Sequence, residues 1–280
     1  MADLSPDLFD RFAEYLYGQS GIRLQHRKAA ALSSRIDRQM KRAGFDDAEA
    51  FLRHIRLPAG ADDRRRLIDS ITIGETSFYR TPQHFDWLSR EYLPAMAAAH
   101  RRGERPASLK FWSAACSSGA EAYTLAIILS GQTIRMPNWQ FSILGTDIAD
   151  TMIDQARTGR FRVRTLDHVP PAQIRRCFRP CVDRDDWVEI SERYRRMVQF
   201  ERHNLMDSPS RGLMGRHKPF DCVWLRNVLI YFDERSKHTA LNNVAESLSP
   251  GGYLVIGPSE GIFGIDHPLK KIKPFLYQKP

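Results

Sequence analysis

The chain has 280 residues, 42% of them hydrophobic, enough for one large domain with a substantial core and a smaller companion. Its formal charge of +9 points to an acidic partner without naming it. Four cysteines exclude a disulfide framework, no apolar run approaches the roughly 18 residues of a membrane span, and Met1-Ala2-Asp3-Leu4 is not a basic-then-apolar leader. A cytoplasmic protein with reduced thiols and no membrane insertion is expected.

Residues 5–70 read as a small helical bundle. Ser5-Pro6 is a cap and first-turn pair for a helix whose apolar face is Leu8, Phe12, Tyr15 and Leu16. A second helix over about 27–43 has Leu32, Ile36 and Met40 on one side, and helical spacing gathers Lys28, Arg35, Arg38 and Arg42 on the other. Residues 22–42 hold seven lysines and arginines against one aspartate. That stripe is either a solvated surface or a docking face. Helices over 48–56 and 62–72 complete the bundle, with Pro58-Ala59-Gly60 between them. Residues 73–108 form a join: a Gly74–Arg80 segment, a helix over about 82–100 and a polar turn.

From residue 109 the pattern becomes strand-helix alternation, which predicts a doubly wound, mostly parallel α/β sheet. Strands are expected at 109–113, 141–146, 197–201, 220–225, 252–257 and 273–278, with helices at 120–130, 150–157 and 234–248. Residues 160–200 exceed a simple crossover and suggest an inserted helix and a small hairpin around Trp187 to Val198. Cys177 and Cys181 have no companion pair, and the nine histidines show no ligand spacing, so no metal site is expected. Tyr15, Tyr17, Trp139 and Trp187 read as core or interface aromatics.

The loop Ser113–Gly119 between the first strand and its helix carries almost no side-chain bulk, as an open sheet needs where its backbone approaches a nucleotide-like ligand. It lacks the G-x-G-x-x-G of dinucleotide sites, so a ligand without phosphates, S-adenosylmethionine, fits better than NAD. Asp147, at the tip of the second strand, is an acceptor-only side chain where a ribose diol would be gripped, or else a cap for the next helix. Glu121 in the first helical turn is either a ligand contact or a carboxylate favoured by the helix dipole.

The motifs that follow one another along the chain are similar to those of the chemotaxis-receptor glutamate methyltransferases, the CheR family. The resemblance rests on Ile73-Gly74-Glu75-Thr76-Ser77-Phe78-Tyr79-Arg80, the loop Trp112 to Glu121, Gly145-Thr146-Asp147-Ile148, His203-Asn204-Leu205, Phe220-Asp221 with Arg226-Asn227-Val228-Leu229-Ile230-Tyr231-Phe232-Asp233, and the closing Leu248 to Leu254 and Gly257-Pro258-Ser259-Glu260. It spans nearly the whole length, in order.

The resemblance implies a helical receptor-docking domain over 1–72, a linker segment and helix over 73–108, and a Rossmann-like class I methyltransferase domain over 109–280 with a small antiparallel insertion at about 179–200. It implies transfer of a methyl group from S-adenosylmethionine to receptor glutamates for sensory adaptation, leaving S-adenosylhomocysteine. Cofactor contacts would fall at Thr76, Arg80, Glu121, Asp147, Asn204, Leu205 and Asn227, with Arg80, Arg226 and Tyr231 as the catalytic set. Without the resemblance, Arg80 reads as an ordinary surface arginine. The partner would be the receptor's cytoplasmic coiled coil, met by Lys28, Arg35, Arg38 and Arg42, with the enzyme a monomer. Two positions depart from the family pattern: Gly74 stands where an asparagine is usual, and Ala120 replaces the first of two glutamates. The insertion's turn, Asp183-Arg184-Asp185-Asp186, lacks the glycines of the peptide-binding versions, so no dependence on a receptor tether peptide is expected. The alternatives are a methyltransferase for nucleic acid or another protein, and a non-catalytic scaffold that binds S-adenosylmethionine. Against nucleic acid, Arg226-Asn227-Val228-Leu229-Ile230-Tyr231 lacks the Asn/Asp-Pro-Pro-aromatic motif of amino-methylating enzymes.

Overall fold

In the computed structural model, which describes residues 5–24, 29–72, 74–209 and 212–280, the N-terminal bundle forms where its capping signals fall. Helix α1 (Pro6–Ser20) opens with the Ser5 hydroxyl accepting from the Leu8 N–H and closes at Gly21, whose φ of +72° suits glycine. Helix α2 (Ala29–Arg42) follows. The Asp47 carboxylate caps α3 (Ala48–Arg56), and α4 (Ala61–Ile71) comes next. Phe9, Phe12, Leu16, Leu32, Ile36, Met40, Phe51, Leu52, Ile55 and Leu67 make a core of their own.

The joining helix consists of α5 (Pro82–Trp87) and α6 (Leu93–Arg101), with a π turn over Leu88–Tyr92 between them. Pro94 explains the wider turn, since its ring would collide with the carbonyl four residues back in an unbroken α-helix.

The C-terminal half is built from β1 (Ser108–Ala114), α7 (Ala120–Ser130), β2 (Gln140–Asp147), α8 (Asp150–Thr158), β3 (Arg160–Arg162), α9 (Pro171–Cys177), β4 (Phe178–Pro180), β5 (Trp187–Ile190), α10 (Glu192–Arg195), β6 (Val198–Arg202), α11 (Gly212–His217), β7 (Phe220–Leu225), α12 (Glu234–Ser247), β8 (Leu248–Ile256), β9 (Lys270–Lys273) and β10 (Leu276–Gln278). Among the described residues the main sheet runs β6-β2-β1-β7-β8-β10-β9, parallel through β8 and antiparallel at its last two strands. The strand order reverses beside β1, which places a crevice outside the carboxyl ends of β1, β2 and β7.

Two expectations need correction. The inserted hairpin lies over Phe178 to Ile190 rather than Trp187 to Val198, with β4 and β5 antiparallel about the turn 181–186. β5 also pairs with β3 to give a three-stranded antiparallel sheet, while Val198 opens β6 of the main sheet. Of the two partners of β5, β4 is its neighbour in sequence, whereas β3 lies beyond α9 and sequence adjacency does not connect it. The closing strand also divides into β9 and β10, separated by a turn.

Helix α7 is buried almost all round because the small sheet covers its outer side: Tyr123 meets Phe161, and both share one core with Phe178, Val188 and Ile190. Gly145 in β2 leaves room for Phe200 of β6; a Cβ there would lie 2.6 Å from the phenyl ring. Among the described residues no helix is long and apolar enough to cross a membrane.

Candidate active site

A cavity of about 400 Å³ opens at the carboxyl ends of β1, β2 and β7, a volume within the usual range for small-molecule sites. Thr76, Arg80, Glu121, Asp147, Asn204, Leu205, Arg226, Asn227 and Tyr231, the nine candidate residues, all line it. So do Ser20, Ile22, Arg23, Leu32 and Arg35 of the bundle. One wall of the cavity is therefore helical-domain surface.

Asp147 ends β2 and is nearly buried. Its Oδ2 accepts from the Ser117 N–H at 2.9 Å and its Oδ1 from the Ala149 N–H at 3.0 Å. Burial pushes its pKa up, and the amide hydrogen bonds pull it back. A carboxylate offers about four lone-pair sites, so two remain for a diol. The bond to Ala149, at the start of α8, is the contact that matches the capping reading of this aspartate. The β1–α7 loop approaches closely because Ala115, Ser117 and Gly119 all take positive φ values. A Cβ on Gly119 would press on Ala156 and Phe200 at 3.0 Å.

Arg226 is the most enclosed of the charged candidates, its side chain 2% exposed against 12% for its partner Glu121. Its Nη1 donates to Glu121 Oε2 at 2.9 Å, and its Nη2 donates to the main-chain carbonyl of Arg80. The guanidinium lies over the rings of Phe85 and Trp224, at 5.6 and 5.7 Å from their centroids. Ser113 Oγ donates to the other oxygen of Glu121 at 2.7 Å. Burial raises the Glu121 pKa and Arg226 lowers it. Arg80 is half-exposed, with Nη1 on the Glu75 carbonyl at 3.2 Å. Tyr231 sits across from it, and burial raises its pKa, so the hydroxyl stays protonated at neutral pH.

The Asn204 side chain faces the bundle: its Nδ2 donates to the Gln19 carbonyl at 2.8 Å, and its Oδ1 accepts from the Met206 N–H. Asn227 has a φ of +61°. Gly74 accepts from Ser117 Oγ through its carbonyl at 2.7 Å, so the site lacking the usual asparagine still ties to the loop by backbone. Ala120 is fully buried in the core behind α7, where a second glutamate would have no water.

The basic stripe divides. Arg38 and Arg42 face solvent, whereas Arg35 turns to the cavity and donates to the Ile71 carbonyl at 3.2 Å. Its expected place on a purely outward face is corrected accordingly: the helix end of α4 supplies an acceptor within its reach. Lys28 lies outside the described residues. Among the described residues no cluster of three or more potential metal ligands occurs.

Two residues lie within the motifs quoted above but carry no assigned role there. His203 lines the cavity with a buried Nε2 that has no partner among the described residues, and burial lowers its pKa so the ring is neutral. Glu260 holds the Asn227 turn by main-chain bonds. These features fit S-adenosylmethionine. Asp147 has the remaining acceptor capacity for a ribose, and Ile148, Leu205 and Val228 offer apolar surface along the cavity that a purine would suit.

The chain matches the CheR methyltransferase SAM binding domain over residues 74–275 and the CheR methyltransferase all-alpha domain over residues 7–72. It is 31% identical to a chemotaxis protein methyltransferase of Borreliella burgdorferi over 278 residues, covering 99% of this chain and 95% of that one. It is 32% identical to chemotaxis protein methyltransferase 1 of Vibrio cholerae, covering 96% and 94%, and 31% identical to a probable chemotaxis protein methyltransferase of Rhizobium etli, covering 89% and 90%. With both domains matched in order, the chain belongs to the CheR methyltransferase family of S-adenosylmethionine-dependent enzymes.

Proposed function

We propose that this chain methylates glutamate side chains of chemoreceptors, forming glutamyl methyl esters. The observation that carries the reading is the half-exposed Arg80 at a cavity that also holds Asp147, in a chain related to chemotaxis methyltransferases across its length. When bound, S-adenosylmethionine supplies an electrophilic methyl group on a sulfonium that leaves as a neutral thioether. A glutamate carboxylate is already ionised at neutral pH, so the chain needs no general base. Its task is orientation, where effective molarity in well-aligned systems contributes about 7–11 kcal/mol.

Asp147 takes the ribose hydroxyls, with Leu205 and Asn227 beside the base and Thr76 and Asn204 completing the wall. Arg80 faces the incoming carboxylate with its planar fork, a geometry suited to two parallel hydrogen bonds. Tyr231 remains protonated and can donate to the same group. Arg226 serves from behind, fixing Glu121 and the Arg80 backbone rather than meeting substrate.

Incubation with methyl-labelled S-adenosylmethionine and a receptor cytoplasmic fragment tests the reading. Alkali-labile label on receptor glutamates is expected. Alkali-stable label, or label on added nucleic acid in preference to receptor, would overturn it.

A further inference from the structure

Glu260, in the loop after β8, is 3% exposed. Its Oε2 accepts from the backbone N–H groups of Asn227 and Gly257, and its Oε1 from those of Val228 and Leu229, all at 2.7 Å. Four donors occupy about all the acceptor capacity a carboxylate has. Three of them are consecutive amides leading into the 3₁₀ turn Leu229–Tyr231, groups that a helix start leaves without internal partners. A negative charge at that end is also favoured by the aligned peptide dipoles.

The placement matters because of Asn227. A non-glycine residue at φ +61° is held in a sparsely populated region, and it persists only where its surroundings fix it. Glu260 bonds the amides on both sides of the Asn227 Cα, its own N–H and that of Val228. Room for this carboxylate depends on Gly257, where a Cβ would lie 2.5 Å from Oε2. The chain thus threads a carboxylate from the loop beyond one strand into the turn beyond its neighbour, and that turn carries Asn227, Val228 and Tyr231 into the cavity.

We propose that Glu260 is a positioning residue, an internal anion that sets the Asn227–Tyr231 turn in the shape that receives S-adenosylmethionine. The proposal rests on the reading that Asn227 touches the cofactor. Glu260 itself meets neither cofactor nor substrate.

Glu260→Gln is isosteric, and in either orientation of the amide two of the four N–H groups face an NH2 instead of an oxygen. Gly257→Ala displaces the same oxygen while keeping the glutamate. Both variants are expected to raise the Kd for S-adenosylhomocysteine about tenfold, measured on protein kept well below its unfolding transition. Asn227→Ala is measured alongside. Weakened binding in all three supports the proposal. Weakened binding in Asn227→Ala with unchanged affinity in the other two would overturn the role of Glu260 alone. Unchanged affinity in Asn227→Ala would instead remove the cofactor contact, and the proposal with it. If Glu260→Gln does not fold, Gly257→Ala decides: a folded variant with unaltered affinity rejects the role, and a raised Kd upholds it.

Discussion

Arg80 and Arg226 reach the same cavity under opposite conditions. Arg80 keeps part of its surface in water and has one main-chain partner, so removing its side chain leaves no buried charge behind. Arg226 is enclosed, and its loss would strand Glu121 in a site where burial already disfavours the carboxylate. Breaking such a pair from one side costs about 3–5 kcal/mol, whereas a change at a half-exposed position stays near ±0.5 kcal/mol. Arg80→Ala is therefore expected to unfold in urea close to the parent midpoint yet turn over roughly 10²-fold more slowly, the worth of a charge-assisted contact. Arg226→Ala should unfold at markedly lower urea. Denaturation curves paired with methylation rates check the contrast; equal behaviour of the two variants would merge their roles. Both arginines were legible in the sequence only through the motifs that resemble the family's. Their division of labour was not, because it depends on Phe85, Trp224 and the Arg80 carbonyl, which the fold brings from elsewhere. The role of Glu260 was hidden for a related reason: three of its four partners are backbone amides some thirty positions away, and a main-chain donor leaves no residue signature.

At the scale of elements, the bundle is fastened to the C-terminal half around the cavity itself. The segment after α1 bridges to the turn that carries Tyr231, with Ile22 opposite Phe232 and the Arg23 N–H on the Tyr231 carbonyl at 3.1 Å. Tyr17 Oη donates to Asp233, the cap of α12, at 3.1 Å. On the far side Asp69 of α4 accepts from the N–H groups of Asp150 and Thr151, at 3.1 and 3.0 Å, and so caps α8 across the seam. Because Asp147 also bonds the amide of Ala149, immediately ahead of those two, the cap supports the loop that carries Asp147. Asp69→Ala is expected to cost about 1 kcal/mol in urea unfolding and to raise KM for S-adenosylmethionine more than it lowers kcat. A stability loss with an unchanged KM would confine Asp69 to the fold. The bundle's helices and the five parallel strands followed from periodicity and capping residues, which are local. The β3–β5 pairing and the interdomain cap join segments distant in sequence, and a short run such as Trp187–Ile190 cannot name both its partners.

For the whole molecule, the excess positive charge falls in two different settings. Arg35 is taken up at the cavity wall, and Arg23 pairs with Asp233 at 3.4 Å, so part of the basic cluster stabilises the seam rather than projecting outward. Arg38 and Arg42 remain exposed on α2 and can attract an acidic helical substrate. Such attraction across water falls off over about 10 Å at 0.1 M salt, whereas contacts inside the cavity are screened far less. The two substrates should therefore respond differently to ionic strength. KM for a receptor fragment is expected to rise about tenfold between roughly 0.05 and 0.5 M salt, while KM for S-adenosylmethionine changes little. Reversing the exposed pair, as Arg38→Glu with Arg42→Glu, should raise KM for the receptor at low salt and flatten its salt dependence, leaving cofactor affinity intact. Steady-state kinetics with each substrate varied in turn separate the effects. A receptor KM indifferent to salt would leave the outward arginines as a solvated stripe and move the docking face elsewhere. A matching rise in the cofactor's KM would mean instead that salt loosens the seam, since the bundle forms one wall of the cavity.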